Sequence, residues 1–230
     1  MVTGMLFFGG DPHGHFAQIE RVARDAGPDD ALVLLGDFDL PAPLEQVIPA
    51  ARDRTWWIHG NHDCDRTEWY DRLFGSALAA RCLHGQVVRV GGLRVAGMGG
   101  VFREKVWHPE SPKGVRAPAR ADYLRLMRPP ERWRGGLPLK HHASIWWEDY
   151  ERLWAQRADI LVTHEAPSAH RHGFAAIDDL AAAMGARMIV HGHHHETYTA
   201  ALPDGVRVLG VGLAEVVDET GNTVASAGSR

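Results

Sequence analysis

Short apolar runs closed by glycine, carboxylate and imidazole residues recur along this chain and set its organisation. Residues 2–8 run into Gly9-Gly10-Asp11-Pro12-His13, residues 31–35 into Gly36-Asp37, and residues 55–58 into His59-Gly60-Asn61-His62-Asp63. Later, residues 159–162 lead to Thr163-His164-Glu165, and residues 187–190 to His191-Gly192-His193-His194-His195. Continuous apolar runs of this length, bounded by turn residues, read as buried strands. Between them lie segments of helical spacing. Residues 16–26 place Phe16, Ile19, Val22 and Ala23 on one face, and residues 44–52 form a proline-bounded helix. Residues 143–157 carry Trp146, Tyr150, Leu153 and Trp154 on one apolar stripe, and 176–184 forms a further helix. Strand, polar edge and helix in alternation predict βαβ units and a mostly parallel sheet. Residues 87–90 and 93–96, around Gly91-Gly92, predict a hairpin. Residues 197–217 read as strands around Pro203-Asp204-Gly205, and the last dozen residues as a frayed tail.

The rhythm breaks between residues 101 and 142. Residues 101–138 hold six of the chain's 13 prolines and show no clear period beyond a short helix at 120–127. Residues 101–145 carry ten basic and four acidic side chains, a net +6. The rest of the chain has 15 basic against 25 acidic, a net −10, so the overall charge of −4 hides a segregation that speaks of an anionic partner. The 230 residues suit one domain, 1–230, with this stretch as an insert or cap. An overall acidic balance argues against a wholesale nucleic-acid or membrane-surface binder. Cys64 and Cys82 have no metal or redox spacing, no membrane span or leader segment is visible, and a cytoplasmic location is the default.

The chemistry gathers at the strand ends. In open α/β sheets the carboxyl edge is where ligands bind, and here that edge offers Asp11, His13, Asp37, Asn61, His62, His164, His193 and His195. Imidazoles packed closely repel one another when protonated, and a bound cation holds them neutral. Each residue alone is as consistent with capping a strand or helix as with ligation; the ordered set is not. Mixed carboxylate, amide and imidazole donors suit Mn²⁺, Fe or Zn²⁺ better than a thiolate-selective metal. More than six donors suggest two ions, a device for in-line displacement at phosphorus.

The ordered motifs Asp11-x-His13, Gly36-Asp37, Gly60-Asn61-His62-Asp63, His164 and Gly192-His193-x-His195 closely resemble those of the calcineurin-like metallophosphoesterases. The resemblance implies an α/β fold, a two-sheet sandwich flanked by helices in four layers. It implies that Asp11, His13 and His195 hold one divalent metal, Asn61, His164 and His193 a second, and that Asp37 bridges them. Manganese is the first expectation for both. His62 would stand over the substrate as general acid without ligating. The activity implied is two-metal hydrolysis of phosphate esters, with a nuclease or cyclic-nucleotide phosphodiesterase as the alternative and a catalytically silent scaffold as the rival from outside the enzymes. Phe38-Asp39-Leu40 departs from the protein serine/threonine phosphatase branch, which carries a further Asp and Arg there, so the partner of His62 stays open. Asp63 reads as a helix N-cap or turn residue, or as the residue that orients His62, and His194 as solvent-exposed. In the basic segment Arg103, Trp107, His141 and His142 are candidate substrate contacts. Trp107 or Trp133 could stack on a base or pack beneath arginines. A nucleotide or other polyanionic phosphoester is the expected substrate.

Overall fold

The computed structural model describes residues 4–226. Residues 2 and 3 of the expected first strand, and the final four of the expected frayed tail, lie outside the described residues. In chain order the elements are β1 (Leu6–Gly9), α1 (Ala17–Asp25), β2 (Ala31–Leu34), α2 (Leu44–Val47), β3 (Thr55–Trp57), α3 (Thr67–Phe74), β4 (Gln86–Val90) and β5 (Leu93–Met98). There follow α4 (Arg120–Leu126), α5 (Trp147–Trp154), β6 (Ile160–Thr163), α6 (Ala175–Met184), β7 (Met188–His191), β8 (Tyr198–Ala201), β9 (Arg207–Gly210), β10 (Val216–Asp218) and β11 (Thr223–Ala225).

The strands form two mixed sheets, the sandwich that the resemblance implies, where the rhythm of the chain alone predicts one. The order is β11-β10-β1-β2-β3 in the first and β4-β5-β6-β7-β9-β8 in the second. Side chains alternate across a strand, and here both faces find apolar partners. In β1 and β2, Leu6, Phe8 and Val33 face the second sheet, while Leu32 and Leu34 pack beneath α1 with Ile19 and Val22. In the second sheet Ile160, Val162 and Val190 face inward, while Leu161, Ile189 and Val208 pack against α5 and α6. This makes four layers, α/β/β/α, because strands apolar on both faces need cover on both.

Four elements differ from the periodic reading. Pro49 ends α2 early, and residues 49–54 continue as a 3₁₀ turn. The helix expected from 143 begins at Trp147, after a 3₁₀ turn at Leu139–Ala143. α3 carries a short mixed face that gave no clear period. The tail is not frayed throughout, since β11 pairs with β10. Among the described residues no helix is long and apolar enough to cross a membrane.

What the fold does for function is alignment. β1, β2 and β3 run parallel, and Gly9, Leu34 and Trp57 are level at their carboxyl ends. β5, β6 and β7 run parallel too, with Met98, Thr163 and His191 level. The polar loops therefore leave both sheets along one rim of the sandwich.

Candidate active site

At that rim two carboxylates are driven into the interior. Asp11 and Asp37 are essentially fully buried, and among the described residues neither meets a lysine or arginine. Their compensation comes from imidazoles. His164 Nε2 lies 3.3 Å from Asp37 Oδ2 and 3.2 Å from Asn61 Oδ1. Its Nδ1 donates to the Leu35 carbonyl at 2.8 Å, which leaves Nε2 as the end facing the acids. His195 Nε2 stands 3.5 Å from Asp11 Oδ2, and His13 Nε2 stands 3.9 Å from Asp37 Oδ2. The His164 and His193 rings are 4.8 Å apart, and those of His13 and His195 5.3 Å. Donor atoms of Asp37, His164 and His193 all lie within 4.8 Å of one another.

The backbone is bent to achieve this. His13, Asp37, His193 and His195 all have positive φ, between 41° and 72°, a region costly for side-chain-bearing residues and concentrated at functional sites. Backbone N–H groups then pin the acids: His62 N donates to Asp37 Oδ1 at 2.8 Å, and His193 N to Asp11 Oδ2 at 2.6 Å. Gly60 is glycine for a close approach, because a Cβ there would run into Asp37 and the His164 ring. Gly36, at φ +102°, has the same need and abuts the Gly60 backbone.

The charges of this cluster are out of balance. Burial raises Asp11 to about 7, with Asp37 adding to the shift. Burial works against a charged His164, yet Asp37 and Asp11 together push it up to about 10. Asp37 goes the opposite way: burial opposes its charge, but His164 outweighs it and holds the carboxyl well below the usual range. His193 is lowered to about 4 by burial and by His164. Asp11 Oδ1, beside His164, is buried with no hydrogen-bond partner among the described residues. Orphaned buried acceptors call for a missing donor or ion.

A family model described as calcineurin-like phosphoesterase matches residues 7–197. The chain belongs to the calcineurin-like phosphoesterase family. It is 39% identical over 218 residues to an uncharacterized protein of Haemophilus influenzae, covering 95% of each chain. Among solved structures it resembles TT1561 of Thermus thermophilus, with a TM-score of 0.60, 16% identity, and coverage of 96% of this chain and 97% of that one. A hypothetical protein from the same organism aligns with a TM-score of 0.51 and 16% identity, over 91% of this chain and 76% of the other.

The phosphoesterase brings together all eight rim residues expected from the sequence, and adds partners that motif reading missed. His62 Nδ1 hydrogen-bonds Asp65 at 2.7 Å, and the His62 ring sits 5.4 Å from that of His13. Asp39 bonds His13 Nδ1 at 3.0 Å. Asp63 acts as a turn residue, and among the described residues it makes no hydrogen bond to the His62 ring. It accepts from the N–H groups of Asp37, Phe38 and Gly60 at 3.0, 2.8 and 2.7 Å, and so staples the second loop to the third. His194 is half-buried, stacked on His170 at 4.0 Å.

The insert is anchored over the His62 turn. The Leu139–Ala143 turn packs against residues 62–64, and Arg134 makes a two-pronged ion pair to Asp71 of α3 at 2.6 and 2.8 Å. Arg103 makes no ion pair among the described residues, and its Nε is buried without a partner. Its charge is felt at Glu165 beside His164, at Cys64 beside the His62 turn, and at His141. Two expectations for this segment, Trp107 and His141 as substrate contacts, are corrected. Trp107 is 5% exposed and packs edge-on to Phe102, Trp147 and Tyr150, so it offers no free face to a base at the rim. Trp133 is covered by Arg134 and Tyr70, the packed alternative. His141 is 1% exposed, with both nitrogens engaged by Tyr123 and Ser144, and burial and Lys140 lower it to about 4. His142 is half-buried against Tyr70.

Proposed function

We propose that the chain hydrolyses phosphate esters with a pair of divalent cations held at the rim, Mn²⁺ being the first candidate, and that its substrate is a small polyanionic phosphoester such as a nucleotide. The observation that carries this reading is the convergence of Asp37, His164 and His193 beside a second buried carboxylate with an orphaned oxygen. On this reading Asp11, His13 and His195 would hold one cation, Asn61, His164 and His193 the other, and Asp37 would be shared between them. Bound there, two cations supply a nucleophilic water at neutral pH and neutralise the phosphoryl oxygens.

The remaining work falls to the chain itself. His62 is half-exposed above the rim, reachable by a leaving group, and Asp65 fixes its Nδ1 so that Nε2 faces outward to deliver a proton. Asp39 orients His13 in the same way. Arg103, which has no ion pair among the described residues and acts by charge on Glu165 and His141, is the candidate to grip a phosphoryl oxygen. Farther along the insert, Lys105, Arg116, Lys140 and Tyr123 line a cavity of about 450 Å³. None of those three cations is ion-paired among the described residues. They favour a substrate with more negative charge than one phosphate.

Metal analysis with a phosphoester panel, monoesters against diesters and Mn²⁺ added, tests the reading. Two equivalents of metal and turnover of at least one phosphorylated small molecule are expected; a metal-free protein inert on the whole panel defeats it.

A further inference from the structure

On the far side of α5 the molecule keeps a cleft that hydrolysis at the rim does not use. Trp147, Tyr150 and Trp154 follow one another at helical spacing along α5 and form a ladder: Trp147 stacks on Tyr150 at 5.5 Å and 24°, and Trp154 tilts against Tyr150 at 5.6 Å. Trp107 closes one end, nearly perpendicular to Trp147 at 4.9 Å. The Tyr150 hydroxyl is fixed by donating to the Ala176 carbonyl at 2.8 Å. Together with α6 these rings line an open surface cleft of about 560 Å³, within the range of small-molecule sites. The sequence stripe predicts Trp154 as core, yet it is 45% exposed. Two carboxylates, Glu151 and Asp179, stand on the walls. Neither makes an ion pair or a side-chain hydrogen bond among the described residues, and the Asp179 charge helps burial raise the Tyr150 phenol.

We propose that this cleft is a binding site for a small organic cation with an alkylated ammonium head, seated against Trp107, Trp147 and Trp154 and balanced by Glu151 and Asp179. Aromatic faces attract cations through the ring quadrupole, and cages of such rings select quaternary ammonium groups. Two exposed acids at the same cleft add a negative potential that favours a cation over a neutral ligand. The site is separate from the rim, so it stands or falls independently of the hydrolytic reading.

The experiment is a titration of the full chain with choline and with tetramethylammonium, followed by the indole N–H resonances. Saturable shifts confined to Trp107, Trp147 and Trp154 are expected. The neutral isostere 3,3-dimethylbutan-1-ol should bind about tenfold more weakly, the scale of a desolvated cation–π contact. The double variant Glu151→Gln/Asp179→Asn, and separately Trp154→Ala on the exposed side chain, should each weaken choline binding by a similar factor while phosphoester hydrolysis is unchanged. Absence of saturation overturns the proposal. So does equal binding of the neutral isostere, which marks a merely apolar cleft. Preferential binding of arginine amide overturns it as well, and marks a surface for a partner's side chain.

Discussion

At the rim, two carboxylates and their imidazoles are held by left-handed backbone, by glycines that no other residue can replace, and by N–H groups aimed at single oxygens. In the insert, cations outnumber acids, and the segment is short turns, one two-turn helix and side-chain clamps onto α3 and α5. The first region is over-determined and the second is graded. Chemistry that needs atoms placed to tenths of an ångström leaves one residue type per position. Attraction for an anion tolerates many arrangements of the same charges. Substitutions should therefore act as switches at the rim and as dials in the insert.

The largest effect belongs to Asp37. Asp37→Asn keeps the shape but removes the charge placed between the two ligand sets, so metal content should fall below two equivalents and turnover should drop to background together. Elemental analysis and an aryl phosphate assay on the same preparation read both. Two tightly held metals in that variant would end the bridging assignment. His62 comes next, since it acts on the proton rather than the cations. His62→Ala should retain both metals and lose about 10²–10⁴ in kcat. Asp65→Asn, which only unfastens the His62 ring, should cost about 10–100-fold and leave metal content intact. If Asp65→Asn is silent, the 2.7 Å contact is incidental.

The same contrast explains what could be read from the chain. Strand-end motifs were legible because apolar runs fix where a strand stops and because Asp11, Asp37, Asn61, His164 and His193 have no bland alternative as a set. Asp65 escaped notice because a carboxylate three residues beyond His62 resembles any surface turn; its i,i+3 reach to the ring shows only once residues 62–64 form a 3₁₀ turn. The turn role of Asp63 is local, but its hold on the second loop is tertiary, since donors come from residues 37 and 38 as well as from Gly60. Two sheets rather than one could not come from periodicity, because strands buried on both faces look alike in either arrangement. In the insert, composition announced the charge but not its destination. Trp107 was buried by aromatic neighbours 40 or more positions away, Trp147 and Tyr150, which no local pattern foretells.

Between switch and dial lies Asp149, the anchor of the insert on the sandwich. It is buried, bonded to Arg120 at 2.6 Å and His84 at 3.1 Å, and paired with Arg152. Burial opposes its charge, but His84 and Arg120 prevail and hold it well below the ordinary 3.8. A carboxyl depressed in the folded state stabilises above its unfolded pKa, and that contribution is lost as pH falls through the folded value. Asp149→Asn should therefore cost about 2–3 kcal/mol at neutral pH. The gap from wild type should hold from about pH 8 to 5 and shrink below about pH 4. Denaturant melts at several pH values measure it; a gap that persists undiminished at about pH 2 would show that packing, not charge, does the anchoring.

The smallest effect tests the dial directly. Arg116 and Lys140 line the insert cavity without ion-pair partners among the described residues, so removing them should leave the fold and the rim untouched. Arg116→Ala/Lys140→Ala should raise KM for a polyanionic substrate about tenfold, equivalent to about 1.4 kcal/mol, with kcat nearly constant. Binding lost equally from ground and transition states appears in KM alone. Hydrolysis of a small aryl phosphate, which carries no further charge for those two cations to hold, should not change. The salt dependence gives a second readout, because exposed charges are screened over about 8–10 Å at physiological ionic strength. The wild-type KM for the polyanion should climb with salt, and the double variant's should climb less. If both substrates suffer equally, the segment supports the His62 turn instead of reading the substrate. If neither does, its positive charge serves no substrate at this rim, and the contrast between switch and dial fails on the insert's side.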